Sequence, residues 1–211
     1  MSSIGISLFQ CLLGIQCKDF TMIAADQMNT QSIIVLKNDE DKLHQVSDRL
    51  IMGMNGTPGD RLQFAHFIAK NVHLYEMKNG YKLDTAAVVH FTRKNLADGL
   101  KGGTPCLVNM LVAGYDDQQG GQLYSLDFLA VCVKVPFASH GYGGLFSLSI
   151  LDSYYKPTLT EQEAYNVLKM CVKEIHNRLF LNLPNFQVKV VSAQGVKNMP
   201  IINPATFVTN S

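Results

Sequence analysis

The chain has 211 residues, of which 47% are hydrophobic and 17% are charged, and its formal net charge is +1. This length allows one domain with a sizeable core. The nearly neutral charge gives no electrostatic reason to expect nucleic acid or a membrane surface as a partner. No stretch approaches the ~20 consecutive apolar residues that a membrane-spanning helix needs. A weakly charged, rather apolar chain does suit a permanent interface with other proteins.

Residues 1–9 precede the first predicted element, and we interpret them as a short leader. No Lys or Arg stands before their apolar residues and no small-residue cleavage site follows, so we expect no export signal. Ser2 also excludes N-myristoylation, which requires Gly at that position.

A β-hairpin is predicted over residues 12–26. Two apolar runs, at 12–15 and 21–25, flank a more polar connection, which is typical of two antiparallel strands joined by a short turn. Further strands are predicted at residues 31–37, 42–47 and 50–54. The acidic segment between the first two of these, residues 39–41, is typical of a solvated turn.

Two helices are predicted next, at residues 57–79 and about 84–100. Thr57 is a candidate N-cap for the first helix, and Pro58 suits its first helical position. Apolar residues recur at helical spacing along both segments. Strands return at residues 107–113, 122–126 and 131–135.

The last third begins with a Gly-rich stretch, residues 139–144, which predicts a loop that enters a helix over 145–155. Thr160 and Glu163 form a capping box that opens a long helix. Two final strands are predicted at residues 186–191 and after Gly195, whereas residues 200–211 show no clear pattern.

The elements therefore follow the order strands, two helices, strands, two helices, strands. This order lacks the alternating βαβα rhythm of a doubly wound parallel sheet. It indicates an α+β protein, and we predict a four-layer α-β-β-α sandwich in which two antiparallel sheets pack together and are flanked by helices. Without internal repeats, linkers or low-complexity segments, one domain is expected over residues 10–199, between the leader and a tail of residues 200–211.

No cofactor or metal site is predicted. The five cysteines, an odd number without Cys-x-x-Cys spacing, indicate reduced and mostly buried thiols. His66 and His73 share one face of a predicted helix, but no carboxylate or Cys completes a metal set there. Residues 141–144 could hold an anion through backbone N–H groups, but close packing of this loop against a helix is the favoured interpretation. No nucleophile elbow supports a Ser-His-Asp triad.

Spaced motifs over residues 12–198 carry a resemblance to a known family. They lie at residues 13–16 (LGIQ), 34–42 (IVLKNDEDK), 59–60 (GD), 63–65 (QFA), 71–75 (NVHLY), 79–81 (NGY), 91–98 (FTRKNLAD), 113–116 (AGYD), 140–143 (HGYG), 149–152 (SILD) and 181–184 (LNLP). In this combination the chain resembles the proteasome β subunits, members of the N-terminal-nucleophile (Ntn) hydrolase superfamily. The resemblance implies the Ntn-hydrolase fold.

The resemblance also implies a position for each part of a catalytic site. Active subunits are cleaved to expose a Thr whose hydroxyl attacks the peptide carbonyl. Counted back from Asp26, that position falls on Gln10, whose amide has no nucleophilic oxygen. Asp26 and Lys42 match the supporting Asp and Lys of active subunits. Three further supporting positions, a Ser, an Asp and a second Ser in the family, are occupied by Tyr142, Leu179 and Asn182.

By this resemblance the chain is a non-catalytic subunit, in which Asp26 and Lys42 form a structural pair because a buried Lys needs a counter-charge. The alternative is an active hydrolase that uses Cys11 after cleavage before it, since an N-terminal Cys can act as a thiol nucleophile. Cys11 is displaced by one residue from the nucleophile position, and its Asp and Ser partners would be missing. The non-catalytic interpretation is therefore preferred.

The partners implied by the resemblance are other β subunits of the same ring, α-ring subunits and β subunits of the opposite ring of the 20S proteasome core. Such a subunit would support assembly and shape the proteolytic chamber used in ATP/ubiquitin-dependent protein degradation. Its expected location is the cytoplasm and nucleus.

Overall fold

The computed structural model describes residues 9–31 and 34–207. The first block of strands consists of β1 (Leu12–Gln16), β2 (Phe20–Asp26), β3 (Asn29–Gln31), β4 (Ile34–Lys37), β5 (Leu43–Ser47) and β6 (Leu50–Gly56). Two helices follow, α1 (Pro58–Asn79) and α2 (Thr85–Lys101). The second block of strands consists of β7 (Val108–Asp116), β8 (Gly120–Leu126), β9 (Cys132–Lys134) and β10 (Phe137–His140). The remaining elements are α3 (Tyr142–Tyr154), α4 (Glu161–Arg178), β11 (Phe186–Ser192), β12 (Gly195–Ile202) and a 3₁₀ helix (Pro204–Phe207).

Most of the strands form two five-stranded antiparallel sheets. The first sheet has the order β10-β1-β2-β11-β12, and the second has the order β5-β6-β7-β8-β9. The predicted hairpin is β1 and β2, paired from Leu12 opposite Ala25 to Gln16 opposite Thr21. The prediction of an α+β protein with two antiparallel sheets is confirmed.

The hydrophobic core consists of three clusters of buried side chains. One joins the first sheet to α3 and α4, and includes Leu13 and Ile15 of β1. A second joins the second sheet to α1 and α2. The third contains residues of both sheets, among them Leu12 of β1 and Leu111 of β7. Neighbouring residues of β1 thus contribute to different clusters, as the alternation of side chains along a strand requires.

The two sheets approach closely at Gly14, where an added Cβ would lie 2.9 Å from Leu111 Cδ1. This spacing explains a Gly inside an otherwise apolar strand. Among the described residues, none of the helices is long and apolar enough to cross a membrane.

The helix starts agree only in part with the prediction. Thr160 and Glu163 form the predicted capping box at the start of α4. The side chain of Asp84 accepts a hydrogen bond from the backbone N–H of Ala87 at 2.7 Å and so caps α2. Thr57 precedes α1, but its side chain makes no capping hydrogen bond. The predicted N-cap position and the Pro58 at the first helical position are confirmed, but the Thr57 side chain does not stabilise the helix start.

Two predicted segments differ from the structure. The single strand expected at residues 31–37 is instead the hairpin β3–β4, with residues 32 and 33 outside the described residues. The loop expected at residues 139–144 is the end of β10 and the start of α3. β10 forms because it pairs along β1, with His140 opposite Leu12, and this distant pairing overrides the local Gly signals.

The C-terminal boundary predicted at residue 199 falls inside β12. This strand continues to Ile202, which is buried in the first cluster, and Phe207 packs against the same cluster. Pro200 is tolerated because β12 is an edge strand, where a missing N–H interrupts no ladder on its free side.

Candidate functional site

Gln10 lies two residues before β1 and is almost fully buried, with 4% of its surface exposed. Its Oε1 accepts a hydrogen bond from the backbone N–H of Gly56 at 2.9 Å, and its Nε2 donates to the Gly56 carbonyl at 3.3 Å. The side chain of Asn55 donates to the Gln10 carbonyl at 3.1 Å. The residue at the predicted nucleophile position is therefore bound, through side chain and backbone, to the end of β6.

Asp26 and Lys42 are brought together, as the sequence predicted. Lys42 Nζ lies 2.7 Å from Asp26 Oδ2, and both side chains are buried. Lys42 Nζ also donates to the Met28 carbonyl at 2.8 Å. Asp26 ends β2 in the first sheet, whereas Lys42 immediately precedes β5 in the second. The pair thus joins the two sheets beside Gln10.

The Asp26 carboxylate is also bound by the backbone. Its Oδ1 accepts from the Cys11 N–H at 2.7 Å, and its Oδ2 accepts from the Met28 N–H at 3.1 Å. With Lys42 included, the carboxylate accepts three hydrogen bonds. These hydrogen bonds compensate the carboxylate for its removal from water.

The three other predicted positions carry side chains of different kinds. Tyr142 begins α3, and its ring centroid lies 5.5 Å from that of Phe9. Leu179 follows the last residue of α4 and packs against the first cluster. Asn182 is exposed in the connection to β11. An aromatic ring, an aliphatic chain and an amide therefore stand where the resemblance places Ser, Asp and Ser.

The Cys11 thiol lies in the core on the α3 and α4 side of the first sheet. Its side chain is fully buried in the first cluster, together with Leu13 and Ile15. A Cβ added at Gly143 of α3 would lie 2.1 Å from Cys11 Sγ, so the thiol is pressed against the start of that helix. Burial raises the pKa of the Cys11 thiol far above its usual range, and the charge of Asp26 raises it further.

A second buried ion pair was missed by sequence reasoning. Arg61, in the first turn of α1, is fully buried and donates through Nη2 to Glu40 Oε1. Burial lowers the pKa of Arg61, an effect that the charge of Asp26 opposes. Glu40 was predicted to lie in a solvated turn, but only 12% of its side chain is exposed. The burial of Arg61 could have been predicted from the sequence. Arg61 precedes the buried Ala65 and Ile68 by four and seven residues, so all three lie on the same face of α1.

The remaining candidates from the sequence are the histidines, the cysteines and the Gly-rich segment. Among residues 9–31 and 34–207, no three His, Cys, Asp or Glu side chains come close enough to hold a metal ion. All five cysteines are free, and Cys106 and Cys132 are only partly buried. In the Gly-rich segment, a Cβ on Gly144 would lie 2.5 Å from Ser139 Oγ. The expected close packing is present, but the packed residues belong to the end of β10 and the start of α3 and not to a loop.

The chain is similar in sequence to known proteins over the region that contains this site. The family described as "Proteasome subunit" matches residues 9–191, which include Gln10, Asp26 and Lys42. The chain is 42% identical over 188 residues to proteasome subunit beta type-2 of Oryza sativa subsp. japonica, covering 89% of this chain and 88% of the relative. The chain belongs to the proteasome β subunit family. The predicted resemblance is therefore confirmed, and this membership supports a role in the 20S proteasome.

Other members of the family show similar relationships. Proteasome subunit beta type-2-A of Arabidopsis thaliana is 40% identical over 189 residues, covering 90% of this chain and 92% of the relative. Proteasome subunit beta type-4 of Saccharomyces cerevisiae is 35% identical over 189 residues, covering 89% of this chain and 96% of the relative. The similarity thus extends over nearly the whole of each proteasome subunit.

Proposed function

We propose that the chain is a non-catalytic, structural subunit of the β ring of the 20S proteasome core. It would support assembly and help to enclose the chamber for ATP/ubiquitin-dependent protein degradation. The observation that carries this proposal is the identity of residue 10 and the hydrogen bonds of its side chain. A carboxamide occupies the predicted nucleophile position, and both of its polar ends are bound to Gly56.

The surrounding charges support the same proposal. An N-terminal nucleophile needs a hydroxyl or thiol with a base within hydrogen-bonding reach. Here Lys42 Nζ is bound to Asp26 Oδ2 and to the Met28 carbonyl. Asp26 Oδ1 is bound to the N–H of Cys11. These groups hold backbone and each other in place, which is a structural task.

The alternative, a hydrolase that uses Cys11, is less well supported. The thiolate is the reactive form of a cysteine, and burial raises the pKa of this thiol. The sulfur packs against Gly143 at the start of α3. If cleavage turned the Cys11 nitrogen into an ammonium, Asp26 would stabilise its protonated form. The amine would then be mostly protonated at neutral pH and could not accept the proton of the thiol.

For the whole subunit we propose the four-layer α-β-β-α arrangement, with α3 and α4 outside the first sheet and α1 and α2 outside the second. The three hydrophobic clusters support this arrangement. We propose one domain, with other β subunits of the same ring, α-ring subunits and β subunits of the opposite ring as partners, in the cytoplasm and nucleus. Exposed apolar side chains suit such contacts. Examples are Phe180, Leu145 and Ile34, which are 79%, 67% and 63% exposed.

Intact mass spectrometry of the endogenous, affinity-purified complex tests the proposal. We expect a chain that retains Gln10 within its sequence, and a particle of proteasome size on a native gel. Gln10→Thr should leave the peptidase activity of the complex unchanged, because Asp26 and Lys42 stay bound to backbone groups. A mature chain beginning at Cys11, with a peptidase activity that Cys11→Ala removes, would establish the alternative.

A further inference from the structure

Beyond the missing nucleophile, the end of β6 forms a hydrogen-bonding slot that matches a primary carboxamide. We define the Gly56 slot as Asn55 and Gly56. Gly56 presents its N–H to Gln10 Oε1 at 2.9 Å and its carbonyl to Gln10 Nε2 at 3.3 Å. A primary carboxamide carries an acceptor oxygen and an NH₂ donor side by side. One planar group thus satisfies both backbone atoms of one residue.

The slot is fixed by the backbone conformation of Gly56. Its φ angle of +148° lies in the range that favours glycine, and an added Cβ would lie 2.4 Å from the Leu107 carbonyl oxygen. A side chain at position 56 would therefore force the strand to move. Asn55 is fully buried and holds the Gln10 carbonyl at 3.1 Å. Because Asn55 and Gly56 are both buried, the slot is shielded from water.

We infer that the Gln10 carboxamide is a ligand held in cis, and that the Gly56 slot binds a free primary carboxamide once the Gln10 side chain is shortened. In the intact protein this contact joins the start of β1 in the first sheet to the end of β6 in the second. The inference rests on the proposed non-catalytic role, because it requires residue 10 to remain inside the chain.

Gln10→Ala provides the test, since it removes the atoms that acetamide supplies. In the full chain the variant leaves the buried N–H and carbonyl of Gly56 without the carboxamide, and we expect its Tm to fall by about 5–10 °C. Acetamide at ten times its dissociation constant should recover about 3–5 °C. Recovery should saturate with acetamide concentration, as binding to one site requires.

Gln16→Ala is the matched control. Gln16 also donates its side-chain amide to a glycine carbonyl, that of Gly121 at 3.0 Å, but it lies at the other end of β1. Acetamide should affect this variant no more than the unmodified chain. N,N-dimethylacetamide keeps the oxygen but lacks N–H donors, so it should not rescue Gln10→Ala. Equal shifts in all three proteins, or equal rescue by both amides, would overturn the inference.

Two further measurements cover a variant that folds poorly. If Gln10→Ala does not fold alone, acetamide in the refolding buffer should restore soluble protein, and no gain would count against the slot. Gln10→Met keeps the side-chain length without polar atoms, and its Gly56 amide should exchange with solvent at least about tenfold faster. Unchanged exchange and Tm would overturn the inference. Neither result alters the mass and peptidase measurements that test the proposed function.

Discussion

At the scale of single residues, Asp26 and Lys42 show how two buried charges stabilise each other and the backbone around them. Asp26 accepts hydrogen bonds from Cys11, Met28 and Lys42. Removing one partner of a buried pair leaves the other charge in a medium that stabilises it poorly. The cost of losing either residue is therefore high whether or not the subunit cleaves peptide bonds.

A double-mutant cycle measures this coupling. We expect Lys42→Met or Asp26→Asn alone to lower the free energy of unfolding of the full chain by about 3–5 kcal/mol. The double variant should lose less than the sum of the two, since it leaves neither charge uncompensated. Urea unfolding of the four proteins provides the measurement. Additive losses would show that the two side chains contribute independently.

The exposed pair Lys82 and Asp48 is the matched control, with 54% and 76% of the two side chains exposed. Water already stabilises both charges at such a site. Lys82→Met should therefore leave the free energy of unfolding almost unchanged. If Lys82→Met lost as much stability as Lys42→Met, burial of the ion pair would not explain the large effect of Lys42→Met.

At the scale of single elements, the helix starts allow a direct comparison. Asp84 caps α2 through its side chain, whereas the side chain of Thr57 makes no such bond at α1. We expect Asp84→Ala to lower the free energy of unfolding by about 1 kcal/mol, because the Ala87 N–H loses its acceptor. Thr57→Ala should have almost no effect. Chemical denaturation checks both variants, and equal losses would contradict the assignment of the caps.

The spacing of β1 from the second sheet leads to another prediction. A Cβ at Gly14 would lie 2.9 Å from Leu111 Cδ1 and 3.1 Å from Leu123 Cδ1. Gly14→Ala should therefore lower the free energy of unfolding by about 1–3 kcal/mol, since buried leucines must leave their positions. Gly59 in α1 has no atom within 4 Å of an added Cβ. Thermal unfolding should show that Gly59→Ala is neutral or slightly stabilising, and a stable Gly14→Ala would contradict the tight spacing.

For the whole molecule, the sequence predicted features that depend on nearby residues better than those that depend on distant ones. The hairpin β1–β2 and the Thr160–Glu163 cap follow from local patterns, and both were predicted. β10 was missed because it depends on pairing with β1, more than 100 residues away. In the site, family resemblance identified Asp26 and Lys42. The contact of Gln10 with Gly56, 46 residues later, required the structure.

For the whole molecule, the buried thiols lead us to expect a loss of stability at alkaline pH. Cys11 and Cys171 are fully buried, and burial raises the pKa of the Cys171 thiol to about 12. In the unfolded chain each thiol ionises with a pKa of about 8.5. The folded state holds these protons more tightly, so the stabilisation is complete below about pH 8.5 and is lost as pH rises toward the folded pKa.

We therefore expect the free energy of unfolding to fall by about 2–3 kcal/mol between pH 7 and 9.5 from these two thiols together. Urea unfolding under reducing conditions measures the decline. Cys171→Ala should be less stable at pH 7 because it leaves a cavity, yet its stability should fall less steeply with pH. Cys132→Ala, at a partly buried position, should keep most of the original slope. If Cys171→Ala and the unmodified chain lose stability equally, the Cys171 thiol is not the source of the decline.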